Sequence, residues 1–235
     1  MEQANLIALG LSLVVAVIHF LGESIKLPAE GPRHFRLISF AAGISIGYLF
    51  LDLLPQTYYA AEQLRESVFL FLLLAFSIVH LVEKYFYQHA GKTSVQQKLK
   101  AFHTATFFLY YLLIGVVLPD LIRGEFYEGI LFIIPVALHA GLIGASLAEV
   151  HGQFSPNLYE KVAISLGAPL GVLFASLMPL SPIVYHVVIS GIAGIMLYVF
   201  VREFLPEKEY GQPLFFVLGL ISFYALIQLI HRIFP

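Results

Sequence analysis

Apolar residues run through this chain in long blocks, with the polar residues gathered between them. Eight blocks of about 20 residues or slightly more can be counted, the length an α-helix needs to cross roughly 30 Å of hydrocarbon. They lie at about 5–26, 35–56, 67–88, 101–122, 127–150, 159–180, 183–205 and 214–234. A polar stretch at 89–100 parts the third from the fourth, with Gly91, Lys92, Gln96, Gln97, Lys98 and Lys100. In a bilayer the backbone must satisfy its own hydrogen bonds, so runs this long predict helices and not lipid-facing strands. The expected fold is an all-α membrane protein with eight transmembrane helices, one polytopic domain over 1–235. Helices 1–3 occupy about 5–88, a linker 89–100, helices 4–5 about 101–150 and helices 6–8 about 159–234.

One stretch occurs twice. Phe40 to Gln56, FAAGISIGYLFLDLLPQ, aligns without a gap on Gly191 to Glu207, GIAGIMLYVFVREFLPE, at an offset of 151 positions. Ala42, Gly43, Ile44, Leu54 and Pro55 match Ala193, Gly194, Ile195, Leu205 and Pro206, and Asp52 faces Glu203. In each copy a small-residue patch lets a second helix come close, and a carboxylate and a Leu-Pro stop lie near the end. The two helices are an odd number of steps apart along the chain and so cross in opposite directions. This predicts an inverted 3+2+3 arrangement, with helices 4 and 5 as a central hairpin and the functional site near the midplane.

Composition supports the membrane reading: 59% of residues are hydrophobic and 12% charged, about half the charged share of a soluble domain. Without cysteine there are no disulfides, thiolate metal sites or cysteine nucleophiles. A net charge of −2 gives no reason to expect nucleic acid as a partner. The first block lacks a basic leader and a small-residue cleavage site, so it is expected to be a retained helix. Ten basic residues fall on the side holding loops 1–2, 3–4, 5–6 and 7–8, against three on the other. Positive residues stay cytoplasmic, so both termini are predicted outside and the 89–100 linker inside.

The stretches FAAGISIGYLFLDLLPQ, GAPLGVLFASL (Gly167 to Leu177) and AGIMLYVFVREFLPE (Ala193 to Glu207), in this order and with this topology, resemble the ZIP (Zrt/Irt-like) family of divalent-metal transporters. The resemblance covers most of the chain. It implies a multi-pass protein of the cell membrane moving a zinc-like divalent cation by alternating access, without a resident cofactor. In that family helix 4 typically reads His-Asn-x-x-Asp-Gly and helix 5 His-x-x-Pro-Glu-Gly, and these residues hold the ion. The corresponding residues are Tyr110-Tyr111-Leu112-Leu113-Ile114-Gly115 and His139-Ala140-Gly141-Leu142-Ile143-Gly144. The glycines remain, but His139 alone of the four usual ligands does. Ala168 stands at a helix 6 position that is often Glu in the family. This is a divergent member's pattern, lacking most of the usual metal ligands. Zinc takes about four ligands from His, carboxylate or thiolate, and a phenol with a pKa near 10 is a poor substitute.

The remaining candidates follow from polar residues inside apolar blocks. His139 sits mid-helix and reads either as a neutral imidazole bonded to Tyr110 or Tyr111, or as a ligand or proton carrier. His19 and Glu23 share one helix face; His80 and Glu83 lie on helix 3, His103 begins helix 4, and Glu149 and His151 end helix 5. By the predicted topology these lie toward the cytoplasm, as a shifted metal site or as interfacial residues. Asp52 and Glu203 are gate candidates by the resemblance. No His-Glu-x-x-His, Gly-x-Ser-x-Gly or phosphate loop argues for an enzyme. The expected partners are the lipid bilayer and a small cation, with a homodimer left open. A second reading stands beside transport: a transport-incompetent relative that acts by binding or regulating other membrane proteins.

Overall fold

The computed structural model describes residues 2–24, 31–89, 92–151, 157–201 and 211–234. Within these, the side chains of 23–24, 60–64, 86–87, 89, 92–100, 103 and 142–151 lie outside the description. All regular structure among the described residues is helical. The elements are α1 (Glu2–Ser24), α2 (Pro32–Tyr48), a π turn (Leu49–Leu53) leading into α3 (Leu54–Leu64), and α4 (Ser67–His89). Then come α5 (Lys92–Gly124), α6 (Phe126–His151), α7 (Leu158–Leu177), α8 (Pro182–Val199) and α9 (Pro213–Ile233). Among the described residues seven helical stretches are long and apolar enough to cross a membrane, and Phe126–Gly141 of α6 is a shorter apolar one. The chain is an integral membrane protein by the length and composition of these helices.

Two boundaries differ from those the sequence predicts. α5 starts at Lys92, inside the polar stretch expected to be a linker. After Gly91 that stretch has no Gly or Pro and is rich in the helix formers Lys, Gln and Leu. At 33 residues, α5 is about 50 Å long and outreaches the hydrocarbon layer. The second difference is at Leu54-Pro55, expected to stop the helix near Gln56. The helix instead passes through Pro55 to Leu64 by way of the π turn. Proline has no N–H and its ring crowds the carbonyl four residues back, here Leu51. A wide turn over Leu49–Leu53, with the Leu54 N–H reaching back to the Leu49 carbonyl, takes up that misfit. The Thr57 hydroxyl donates to the Leu53 carbonyl at 2.9 Å just beyond it. The second copy widens at the matching place: α8 passes into π geometry at Phe200 and Val201, 151 positions after Leu49 and Phe50. Its Leu205-Pro206 lies outside the described residues.

The centre is α5, with Tyr110, Tyr111, Ile114, Val117, Leu118 and Leu121 buried. It packs most closely on α7, while α1 lies against α6 and α7. Two further pairs flank this core, α2 on α9 and α4 on α8. Small residues make the crossings possible. A Cβ at Gly115 would strike the Ala168 carbonyl, and one at Gly171 the Leu112 carbonyl, so α5 and α7 touch backbone to backbone. Helices in lipid associate through such contacts because lipid tails offer no hydrophobic gain. The matched glycines behave alike: a Cβ at Gly43 would meet the Phe216 carbonyl of α9, and one at Gly194 the Leu72 carbonyl of α4. The Ser39 hydroxyl accepting the Gln212 N–H at 3.1 Å also ties α2 to α9.

Gly43→Val and Gly115→Val are expected to lower stability by about 1–3 kcal/mol through overpacking. Gly191→Ala, where an added Cβ meets nothing within 4 Å, should leave stability unchanged or raise it, since Ala favours helix over Gly. Melting curves of the purified variants in one detergent check this, and equal losses at all three positions would refute the close-contact account.

Candidate functional site

Helical spacing fixes which side chains meet at the centre. Phe107, Tyr110, Tyr111 and Ile114 recur at i, i+3, i+4 and i+7 on α5 and share one face. All four are buried, Ile114 completely. On α6, Phe132, Val136, His139 and Ala140 recur at i, i+4, i+7 and i+8, again one face, and are buried too. His139 is thereby held among rings. Its centroid lies 5.8 Å from Tyr110, 6.0 Å from Phe107 and 5.9 Å from Phe200 at the π-turned end of α8. The hydrogen bond from Tyr110 expected for His139 is not formed: the Tyr110 hydroxyl has no hydrogen-bond partner among the described residues, and its ring meets the imidazole edge to face instead.

From His139 the rings continue across the core. Tyr110 and Tyr111 are 5.4 Å apart, and Tyr111 meets His19 of α1 edge to face at 5.1 Å. His19 Nδ1 and Ser165 Oγ of α7 are hydrogen-bonded at 3.0 Å. His19 is 1% exposed, so it faces the α1–α5–α7 junction and not an aqueous interface. The chain Ser165–His19–Tyr111–Tyr110–His139 thus joins four elements through polar side chains that meet by one hydrogen bond and three ring contacts. Such groups cost far less to bury than ions do. The hydroxyl of Tyr110 and that of Tyr48, on α2, are buried and have no hydrogen-bond partner among the described residues.

Asp52 and Asp120 each have a local partner. Asp52 is half-buried within the π turn, and the Gln56 amide donates to its Oδ2 at 3.1 Å. Asp120, near the end of α5, pairs with Arg123 at 2.8 Å.

A second group lies between α4 and α8. Glu83 is 4% exposed and accepts a hydrogen bond at Oε2 from the Tyr198 hydroxyl. His80, one turn away on α4, is exposed and presents its ring to Tyr198 at 5.8 Å. The side chains of Glu23, His103, Glu149 and His151, and Glu203 entirely, lie outside the described residues. The structure therefore links His19 to His139, and His80 to Glu83, as two separate groups. Among the described residues no three of the His and acidic side chains form a set able to hold a metal ion.

Ser165, Tyr198 and Phe200 contact the candidates His19, Glu83 and His139 and were not themselves picked out by the sequence reading. A signal existed for Ser165, because a histidine within an apolar helix calls for a polar partner on a facing helix. Tyr198 stands in the second copy where the first has Gly47, a departure that marks it as serving something local.

No family model matches the chain. A stretch of 70 residues is 43% identical to the zinc transporter ZupT of Chlorobium limicola. That stretch is 29% of this chain and 26% of the relative, so the match spans about a quarter of the relative's length. Over that stretch, this helical membrane protein is similar to a zinc transporter.

Proposed function

We propose that the chain is a ZIP-like transporter of the cell membrane, carrying a divalent, zinc-like cation by alternating access past a reduced central site at His139. The observation that carries this reading is the equivalence of the two matched stretches. Gly43 and Gly194 each seat a neighbouring helix, π geometry begins at both Leu49 and Phe200, and Phe200 lies against His139. Two like elements in one membrane protein suit two halves that rock about a shared path. In this reading helices 1–3 and 6–8 are inverted copies, both termini lie outside, and α5–α6 form the hairpin between the halves. Asp52 serves as outer gate, and Glu203 as its inner counterpart. His19 lines the path beside the hairpin, and Glu23, His80, Glu149 and His151 serve its cytoplasmic end. The similarity to a zinc transporter supports the choice of cargo.

One observation favours the second reading, a transport-incompetent relative acting on partner proteins, with a homodimer as one form. Tyr110, Tyr111 and Ile114 fill the centre at the positions where the family carries ligands, and each is 1% exposed or less.

Reconstituted vesicles separate the two. Transport predicts zinc, manganese, iron or cobalt uptake that His139→Ala reduces at least about ten-fold, a loss of about 1.4 kcal/mol or more in transition-state terms. It also predicts metal-dependent thermal stabilisation. Absent flux and absent stabilisation, together with a copurifying partner or stable oligomer, would turn the conclusion to the second reading.

A gain-of-function test addresses the site itself. Tyr110→His combined with Ile114→Asp puts an imidazole and a carboxylate one turn apart beside His139. Without metal this variant should be the less stable protein, because it buries an unpaired carboxylate. With zinc at about a hundred times its Kd it should regain about 2.7 kcal/mol. Melting with and without zinc reads both, and no response to zinc would remove His139 from any metal path.

A further inference from the structure

The second group has a feature that metal transport leaves unused. Beside Glu83 lies a cavity of about 20 Å³, lined by Val79 and Glu83 of α4, Phe102, Thr106 and Phe107 of α5, and Tyr198 and Val199 of α8. It is large enough for one water, which needs about 10–15 Å³ and polar partners. Residues with polar side chains are among its lining: Glu83, Tyr198 and Thr106. Glu83 lies within the membrane-crossing stretch Ser67–Tyr85 and is 4% exposed. An ionisable group so placed is costly to bury, and groups that persist at such positions in transporters commonly bind ions or relay protons.

The cavity is a poor fit for a metal. Among the described residues, only three of those lining it carry a side-chain oxygen, one of them already donating to Glu83, and hard cations take about six or more oxygen ligands. Among the described residues, zinc would find neither imidazole nor a second carboxylate on its lining. A proton fits: it needs one basic oxygen and one water to arrive through. Phe107, which closes one side of the cavity, also packs on His139, so the carboxylate sits one ring away from the central histidine. On the other side Tyr198 connects Glu83 to the exposed His80.

We propose that Glu83 is a proton-binding site, taking up and releasing a proton through water in the α4–α5–α8 cavity. Binding forms one O–H bond at the carboxylate and breaks one on the hydronium that delivers it; release is the reverse, and nothing is oxidised or reduced. In the transport cycle proposed above, on which this role alone rests, Glu83 is the group that carries the coupled proton. The titratable and charged groups around it are His80 and Lys84 on its own helix and Tyr198 on α8. His103 of α5 has its side chain outside the description, and Arg202 and Glu203 follow the described end of α8.

The full chain in lipid nanodiscs, stepped between alkaline and acid pH, tests the site by infrared difference spectroscopy. The expected result is a protonated-carboxyl band that Glu83→Gln removes. Tyr198→Phe, which keeps the carboxyl and deletes its donor, should shift the frequency of that band. Identical spectra from the native protein and Glu83→Gln would overturn the proposal, and a band that Tyr198→Phe leaves in place would assign it to another carboxyl and do the same. A zinc-loaded vesicle assay with an internal pH dye then tests the role: zinc flux should carry protons, and Glu83→Gln should cut the protons moved at least about ten-fold. Zinc flux with no proton movement in the native protein would overturn the coupling role. A band lost in Glu83→Gln, in protein that moves no zinc, would refute transport and leave the proton site standing.

Discussion

Direct backbone contact between α5 and α7 is the constraint on which the rest of the molecule depends. Gly115, Ala168 and Gly171 bring the helices together where any larger side chain would strike a carbonyl. In lipid this proximity is the source of cohesion, since dispersion grows with close packing and no water is released to drive association. The seam sets the rotation of α5, and that rotation points Phe107, Tyr110, Tyr111 and Ile114 inward. α1 lies in the angle between α6 and α7, which brings His19 to Ser165.

What fills the interior follows from the cost of charge in a dry medium. A central path for a divalent ion needs carboxylates or imidazoles that stay buried whether or not the ion is there. The centre of this chain holds phenol rings and an isoleucine, with His139 among aromatic faces. The imidazoles and phenols pack ring against ring, and the core they form is continuous from α1 to α8. The acids lie elsewhere: Asp52 beside Gln56 toward one end of the bundle, and Glu83 beside Tyr198 between α4 and α8.

The spans were legible because about twenty apolar residues in a row have one stable backbone solution in lipid. The importance of Gly43 and Gly194 was legible too, from their repetition within the chain. Features that depend on two facing elements were hidden. The partnership of His19 with Ser165 requires knowing that α1 and α7 are neighbours, although 146 positions separate the two residues. Pro55 misled for a different reason. Proline ends helices in water, but within a packed membrane bundle a widened turn can absorb it at lower cost than a break, which would strand backbone groups in hydrocarbon. Lys92 to Lys100 misled in the opposite sense, because polarity marks where lipid ends and says nothing about where a helix does.

The widened turn before Pro55 has a mechanical consequence. It holds one residue more than an α turn, so the helix on its far side is rotated by about 100° relative to an unbroken one. Asp52 rides within that extra winding. Tightening the turn by a single residue would swing this carboxylate about a quarter of the way around the helix while the rod stayed whole. A helix of this kind can change which way a charge faces without coming apart.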